Sequence, residues 1–264
     1  METYASHLHK APGKKFWHYF FEFFMLFLAV FCGFLAENLR ELRVEKTRAT
    51  EYMNEIVDNL RYDIIRCNKN LYTNIKVCSG LDSLRTELKN AIAGNTNSNA
   101  LYYLSFQYAG QFGWAVSNNS AITELKSSGN LRLIENKVLV NELSDYYERK
   151  VFATTNAVPS KDQILKLQTK SNDLFNLQLM DDYISSFDQI SDTTYNNIYN
   201  YKNLLNHQPA LPLLNTNKAE LSDYYTQISQ FEIAIKKYIF WLKLDKQAAD
   251  QLIKDIVKEY PSEK

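Results

Sequence analysis

Residues 16–36, FWHYFFEFFMLFLAVFCGFLA, decide the architecture of this 264-residue chain. As a helix the stretch is about 31 Å long, the thickness of a bilayer's hydrocarbon core. Lipid offers no hydrogen bonds, so a chain crossing it must satisfy its own backbone, and one transmembrane helix is expected. The apolar run is longer than the core of a cleaved signal peptide, and no small-x-small cleavage site follows it. Instead the charged run Glu37-Asn38-Leu39-Arg40-Glu41-Leu42-Arg43 continues directly, so the segment reads as a signal anchor. Basic residues flank both ends: Lys10, Lys14 and Lys15 before it, Arg40, Arg43, Lys46 and Arg48 after it. The positive-inside count is nearly balanced. A short basic tail ahead of a lone anchor usually stays in the cytoplasm. That orientation places the chain in the inner (cytoplasmic) membrane with its large domain in the periplasm.

Within the anchor, Glu22, Leu26, Ala29, Gly33 and Ala36 fall at four-three spacing on one helix face. Ala29-x-x-x-Gly33 is a small-xxx-small pattern, which lets two helix backbones approach closely. Bulky Phe residues occupy most of the remainder. A carboxylate in hydrocarbon is costly. Glu22 therefore either faces a helix contact or wet cavity, or snorkels to the interface beside Trp17, His18 and Tyr19. At the membrane exit the cluster Glu37, Arg40, Glu41 and Arg43 offers either salt bridges between neighbouring helices or a solvated, headgroup-contacting surface.

Beyond the membrane the helix is expected to continue. Opposite charges lie at helical spacing, as in Glu37 with Arg40 and Glu45 with Arg48. A heptad seam follows: Met53, Val57, Leu60, Ile64, Cys67, Leu71, Asn74, Cys78, Leu81, Arg85, Leu88 and Ile92, with Asn74 and Arg85 as polar intrusions. Gly94 and the polar run after it end the helix. Residues 1–15 then form a short basic tail, 16–36 the anchor, 37–93 a long charged and heptad helix, and 94–216 a helical insert with loops. Residues 217–260 form a long C-terminal helix packing back on the first.

Inside the insert, Asn99 is expected to cap a short helix carrying Leu101, Leu104, Tyr108 and Phe112. A second helix spans Ala121 to Ser128 and ends at Gly129. Asn136 caps a longer one that breaks near Pro159. Helical pattern resumes from Asp162 to about Tyr183, and residues 187–216 read as short helices between loops. The C-terminal helix opens on Asn217-Lys-Ala-Glu220, a capping-box pattern. It carries Leu221, Tyr225, Ile228, Ile235, Ile239, Leu242, Ala249, Ile253 and Ile256 at heptad-like spacing. The fold class is all-α: one transmembrane helix running into a long helix, with an elongated antiparallel bundle.

Lys+Arg and Asp+Glu both number 30, which leaves no basic surplus for nucleic acid. Seven glycines and five prolines are few, so turns are scarce and long helices favoured. Cys67 and Cys78 lie three helical turns apart, too far to bridge each other, and read as buried thiols alongside Cys32 in the anchor. His7, His9, His18 and His207 lack partners at metal-ligand spacing. There is no phosphate-binding loop, dinucleotide turn or nucleophile elbow, so no catalytic residue, cofactor or metal is assigned. Ser127-Ser128-Gly129-Asn130 reads as a helix C-cap rather than an anion-binding turn.

One segment recurs: Glu142-Leu-Ser-Asp-Tyr-Tyr147 returns as Glu220-Leu-Ser-Asp-Tyr-Tyr225. Either a duplicated helical hairpin or chance between amphipathic helices explains it. The Tyr pairs are expected in the core with hydroxyls at its rim.

The run Phe27-Leu-Ala-Val-Phe-Cys-Gly-Phe-Leu-Ala-Glu-Asn38, with Arg40-Glu41, Glu51-Tyr52-Met53 and Asp58-Asn-Leu-Arg-Tyr-Asp63, resembles an uncharacterised Bacteroidetes family of N-terminally anchored single-pass membrane proteins, a domain of unknown function. Leu125-Lys-Ser-Ser-Gly-Asn-Leu-Arg-Leu-Ile134 followed by Tyr146-Tyr147 is similar to it too. The resemblance implies anchoring and a helical fold, and no activity. With such an origin, Asp82-Ser83-Leu84 and Asp192-Thr193-Thr194 look like short O-glycosylation sites.

These features lead to the expectation of a membrane-anchored structural or interaction protein, not an enzyme. It would be an oligomeric cell-envelope component or an accessory subunit, whose partners are the lipid bilayer and further copies of itself or another membrane protein. Two alternatives remain: an extracytoplasmic ligand-sensing module acting through a partner, and a channel or ion-driven subunit using Glu22.

Overall fold

The computed structural model describes residues 13–114, 118–180 and 201–261. Helix α1 runs from Gly13 to Ile92 without a break. Helices α2 (Ser98–Tyr108) and α3 (Ser120–Ser127) follow, then a 3-10 turn at Asn130–Leu133. Next come α4 (Lys137–Asn156) and α5 (Lys161–Leu174), and α6 closes the chain over Lys218–Glu259. Short 3-10 turns occupy Leu177–Met180 and Tyr201–Asn206, and one isolated antiparallel bridge joins Phe175 to Leu213. The fold is all-α. Asp192-Thr193-Thr194, the basic tail and the end of the helix expected to reach Tyr183 lie outside the described residues.

The bundle has four columns. α1 runs away from its apolar end, and α6 returns antiparallel along it, so that residues 49–60 meet 249–256 and residues 77–91 meet 221–235. α2 and α3 form a descending column, and α4 followed by α5 an ascending one. Two apolar cores result. The distal one holds Leu81, Leu88, Tyr102, Leu174, Phe175, Tyr224 and Phe231. The proximal one, nearer the apolar end, holds Met53, Leu60, Leu125, Leu143, Tyr146 and Leu252. A small cluster of Cys67, Ala157, Tyr238 and Leu242 lies between them.

The expected Val57 and Cys78 are buried in the core, but at other alternate steps the seam lies one residue from the expected position. On α1 the residues that are buried at three-four spacing are Ala49, Met53, Ile56, Leu60, Asp63, Cys67, Asn70, Asn74, Val77, Leu81, Leu84, Leu88 and Ala91. The expected Ile64, Leu71, Arg85 and Ile92 are only half-buried flanks. On α6 the buried set is Leu221, Tyr224, Ile228, Phe231, Ile235, Tyr238, Leu242, Asp245, Ala249, Leu252 and Ile256, with Tyr225, Ile239 and Ile253 as flanks. Each long helix packs against more than one neighbour, so its apolar stripe is wide and two registers fit the spacing. The true register includes Asp63, Asn70 and Asp245, which a search for apolar residues steps over.

The caps also differ in detail. Asn97 caps α2, its side chain accepting from the Ala100 N–H. Asn99 is buried in the first turn, where its amide donates to His207 O at 2.7 Å and accepts from Leu211 N at 2.9 Å. α2 ends at Tyr108, before Phe112. Asn217 caps α6 by accepting from Ala219 N. The expected capping box is absent there, because the Glu220 carboxylate turns to Lys170 at 3.2 Å. Asn136 caps α4 as expected. Gly94 (φ 100°) and Gly129 (φ 71°) end α1 and α3 in left-handed conformations that a side chain would strain.

Candidate functional site

The anchor residues come first. Phe16 to Val44 are exposed along their whole length, and among the described residues nothing packs on the apolar segment. Glu22, Leu26, Ala29, Gly33 and Ala36 are all exposed, and a side chain built at Gly33 would meet nothing within 4 Å. This is one helix long and apolar enough to cross a membrane. At its exit, Arg40 donates to both Glu37 carboxylate oxygens, at 2.9 and 2.5 Å, within the same helix. Glu41 and Arg43 are exposed beside that pair. Of the expected pair Glu45 and Arg48, Glu45 instead reaches Arg132, at 3.8 Å.

The second constellation is a polar waist between the two cores. The descending column is interrupted between α2 and α3, and the ascending one at Ala157–Ser160 before α5. Interruptions leave backbone groups without helical partners, and burying them unpaired is costly. α1 supplies the partners. The Asn74 amide donates to Gly113 O at 2.8 Å and accepts from Gly113 N at 2.9 Å. A Cβ on Gly113 would lie 2.7 Å from Asn70 Oδ1 and 3.2 Å from Thr73 Cβ, so a side chain there would force those neighbours to shift. Lower down, Asn118 Nδ2 donates to Asn59 Oδ1 at 2.7 Å, and Asn118 N to Asp63 Oδ1 at 3.4 Å.

Asp63 is the centre of the waist. It is 1% exposed, and its Oδ2 accepts from Lys150 Nζ at 2.5 Å and from the Tyr146 hydroxyl at 3.1 Å. Lys150, on α4, is 4% exposed. Such a pair survives burial only because both charges are taken up by close hydrogen bonds. Nearby on α6, Asp245 is buried with Arg149 Nε 3.5 Å from its Oδ1. Burial pushes the Asp245 carboxyl above the ordinary carboxylate range, and Lys150 and Arg149 only partly oppose this. Burial also raises the Tyr146 hydroxyl, with Asp63 adding to it, so Tyr146 is a proton donor to that carboxylate. The hydroxyl expected at the rim is therefore inside. Burial holds the Cys67 thiol up at about 11, and that of Cys78 likewise, so both are protonated and poor nucleophiles at neutral pH.

A smaller ion cluster ties α1 to α6 in the distal half. Glu232, 1% exposed, takes Arg85 Nε at 3.1 Å and Lys236 Nζ, and Arg85 also holds Asp82 at 2.5 Å. The Arg85 and Lys89 cations lie over the Tyr225 ring. The two polar intrusions of the seam are thus partnered: Asn74 by backbone and Arg85 by a buried carboxylate. Ser83 is exposed on α1 and donates to Ser79 O, while Leu84 beside it is buried.

Sequence reasoning singled out none of Asp63, Lys150, Glu232 and Asp245. Signals for two of them exist. Ile56, Asp63, Asn70, Val77, Leu84 and Ala91 recur every seven residues, which puts Asp63 on a buried stripe. In the recurring segment, Leu143, Tyr146 and Lys150 occupy the places of Leu221, Tyr224 and Ile228, so a lysine stands where its counterpart is a core isoleucine. Among the described residues no group of three or more His, Cys, Asp or Glu could hold a metal ion. No protein-family model matches the chain, and neither a curated protein nor a solved structure does.

Proposed function

We propose that this chain is a membrane-anchored helical interaction protein. It joins other copies of itself, or a partner membrane protein, through its N-terminal helix, and it presents its bundle on the periplasmic side as an envelope component or accessory subunit. One observation carries the reading: a long apolar helix segment with a small-residue face has no packing partner among the described residues, yet runs without a break into the bundle. Small residues on an exposed face let two helices in lipid pack closely. The continuous helix then couples any rearrangement of the anchors to α1 in the bundle. The inward pairing of the waist supports a structural role, since Asp63, Lys150 and Tyr146 are spent on one another. The resemblance to an anchored Bacteroidetes family agrees with it.

The test is assembly in mild detergent, read as particle mass. The full chain is expected above monomer mass, and Gly33→Leu, which blocks close approach without touching the bundle, should shift it towards monomer. Glu22→Gln should alter the same equilibrium if the carboxylate faces the contact. A strict monomer whose membrane complexes also hold no second protein would sink the proposal.

A further inference from the structure

The break in the ascending column leaves part of α6 uncovered. α4 ends at Asn156 and α5 starts at Lys161, with Pro159 between them. Opposite this gap the flank of α6 from Gln230 to Trp241 lines an open groove, about 460 Å3 in its proximal part and continued distally past Val158 and Ser160. Its length along α6 is about 16 Å, three helical turns. The floor is apolar. The Trp241 ring meets Phe152 edge-to-face at 5.6 Å and Phe240 at 6.0 Å. Phe152, Ile233 and Phe240 are nevertheless 53%, 54% and 58% exposed. Adjoining apolar side chains left open to water in this way mark an interaction surface.

The charges of the groove are of one sign. Lys236 and Lys237 are the charged residues of its lining. Lys236 is tied to the buried Glu232, whereas Lys237 has no ion-pair partner among the described residues. Nearby carboxylates do not supply one. Asp162 is held by Lys166, Asp245 is buried against Arg149, and Glu148, one turn before Phe152 on α4, lines no part of the groove.

Geometry and charge together select the occupant. A small ligand buries most of its surface in its pocket, and this groove covers a guest on one side only. A strand-like peptide needs a sheet edge, and α6 has spent its backbone groups within the helix. A guest here must therefore satisfy its own backbone, as a helix does. Lipid is out of reach: Tyr238 packs beside Cys67, which lies about 47 Å along α1 from Ala36. A second copy on the same membrane brings cations to this height. Between Asp58 and Asp82 the accessible charges of α1 are Arg61, Arg66, Lys69 and Lys76, and two copies meeting groove to groove set lysine against lysine.

We propose that this groove binds an acidic amphipathic helix of another protein. The apolar face of that helix lies on Phe152, Ile233, Phe240 and Trp241, and one of its carboxylates pairs with Lys237. The site is separate from the anchor contact and does not depend on it.

The experiment uses the full chain in phosphatidylcholine nanodiscs, with empty discs as the blank. The probe is a fluorescein-labelled synthetic helix of about 15 residues, long enough to hold helical structure, with Leu along one face and Glu along its flanks. Fluorescence anisotropy reads binding. The unaltered chain is expected to bind the probe in the micromolar range. Lys237→Glu should weaken binding about tenfold, the scale of one charge-assisted hydrogen bond. Phe240→Ser should weaken it by about tenfold or more, the scale of one buried aromatic side chain. Both positions are exposed, so the thermal melt should not move. A peptide of the same composition with Leu and Glu interspersed should not bind, and polyglutamate should not compete. Gly33→Leu should bind the probe as the unaltered chain does, which separates this site from the anchor contact. No binding above the blank, undiminished binding by either groove variant, equal binding of the interspersed peptide or equal competition by polyglutamate overturns the proposal. A change of particle mass in Phe240→Ser overturns it too, because a second copy then fills the groove.

Discussion

Lys150 is a cation at a place where the bundle's own pattern asks for an aliphatic side chain, and Asp63 is what holds it there. Removing one member of a buried pair leaves the other charged and unpaired, which costs about 3–5 kcal/mol, whereas replacing both with apolar groups of similar volume is often neutral or stabilising. Lys150→Met is therefore expected to lower unfolding free energy by about 3–5 kcal/mol in urea titrations. The double variant Asp63→Leu, Lys150→Met should recover most of that loss. Tyr146 and Asn118 would lose their acceptor in the double variant, so recovery falls short of full by about two hydrogen bonds, ~2 kcal/mol. If the two single substitutions simply add, Asp63 and Lys150 are not coupled and the waist is not organised around them. Asp245 behaves oppositely. Its carboxyl is raised in the fold above the ordinary value near 4, so between those two values the native state holds the proton more often than the unfolded chain. Stability contributed by this group therefore falls as pH rises through that window, and the penalty is complete above it. Asp245→Asn should gain on the unaltered chain in melting temperature as pH goes from about 4 to about 7. A gain that shrinks over that range would mean Arg149 and Lys150 outweigh burial.

At the scale of elements, the long helices were legible because a long amphipathic repeat is a redundant signal. α1 stops at the expected Gly94, and α6 starts at the expected Asn217. The break near Pro159 was equally plain, since proline punctuates a helix for reasons local to the backbone, whereas the end of α2 before Gly110 was not expected. The register of the seams was not, and the miss is instructive. Ile64, Leu71 and Ile92 are apolar, so the flank of α1 imitates the seam, while the seam itself contains Asp63, Asn70 and Asn74. These polar residues are inside because the neighbouring column is interrupted at their height, a fact about distant sequence. The same limit hid the cleft at the base of the bundle. Arg132, Glu135 and Glu259 are ordinary exposed charges until α6 returns its last turn to the base of α1.

At the scale of the molecule, two cores stacked along α1 and α6 meet at a waist built of polar contacts. The distal core closes α2 and α5 over α1 and α6, and the proximal core closes α3 and α4. Only the two long helices belong to both. Polar contacts at the waist fix register, but net they add little stability against unfolding, since they replace contacts with water. The halves should therefore open as partly independent units, as cooperative segments of a fold commonly do. Leu84 is fully buried in the distal core, and Leu84→Ala should cost about 2–5 kcal/mol there. Hydrogen exchange followed by mass spectrometry is the measurement that separates the halves. In the variant, amides of α2 and α5 are expected to lose protection by most of that amount, with those of α3 and α4 little changed. α1 itself should divide, its residues above the waist loosening and those below holding. Uniform loss across α2 and α4 would show that the waist transmits stability as a continuous core would, and that the bundle moves on its anchor as one rigid body.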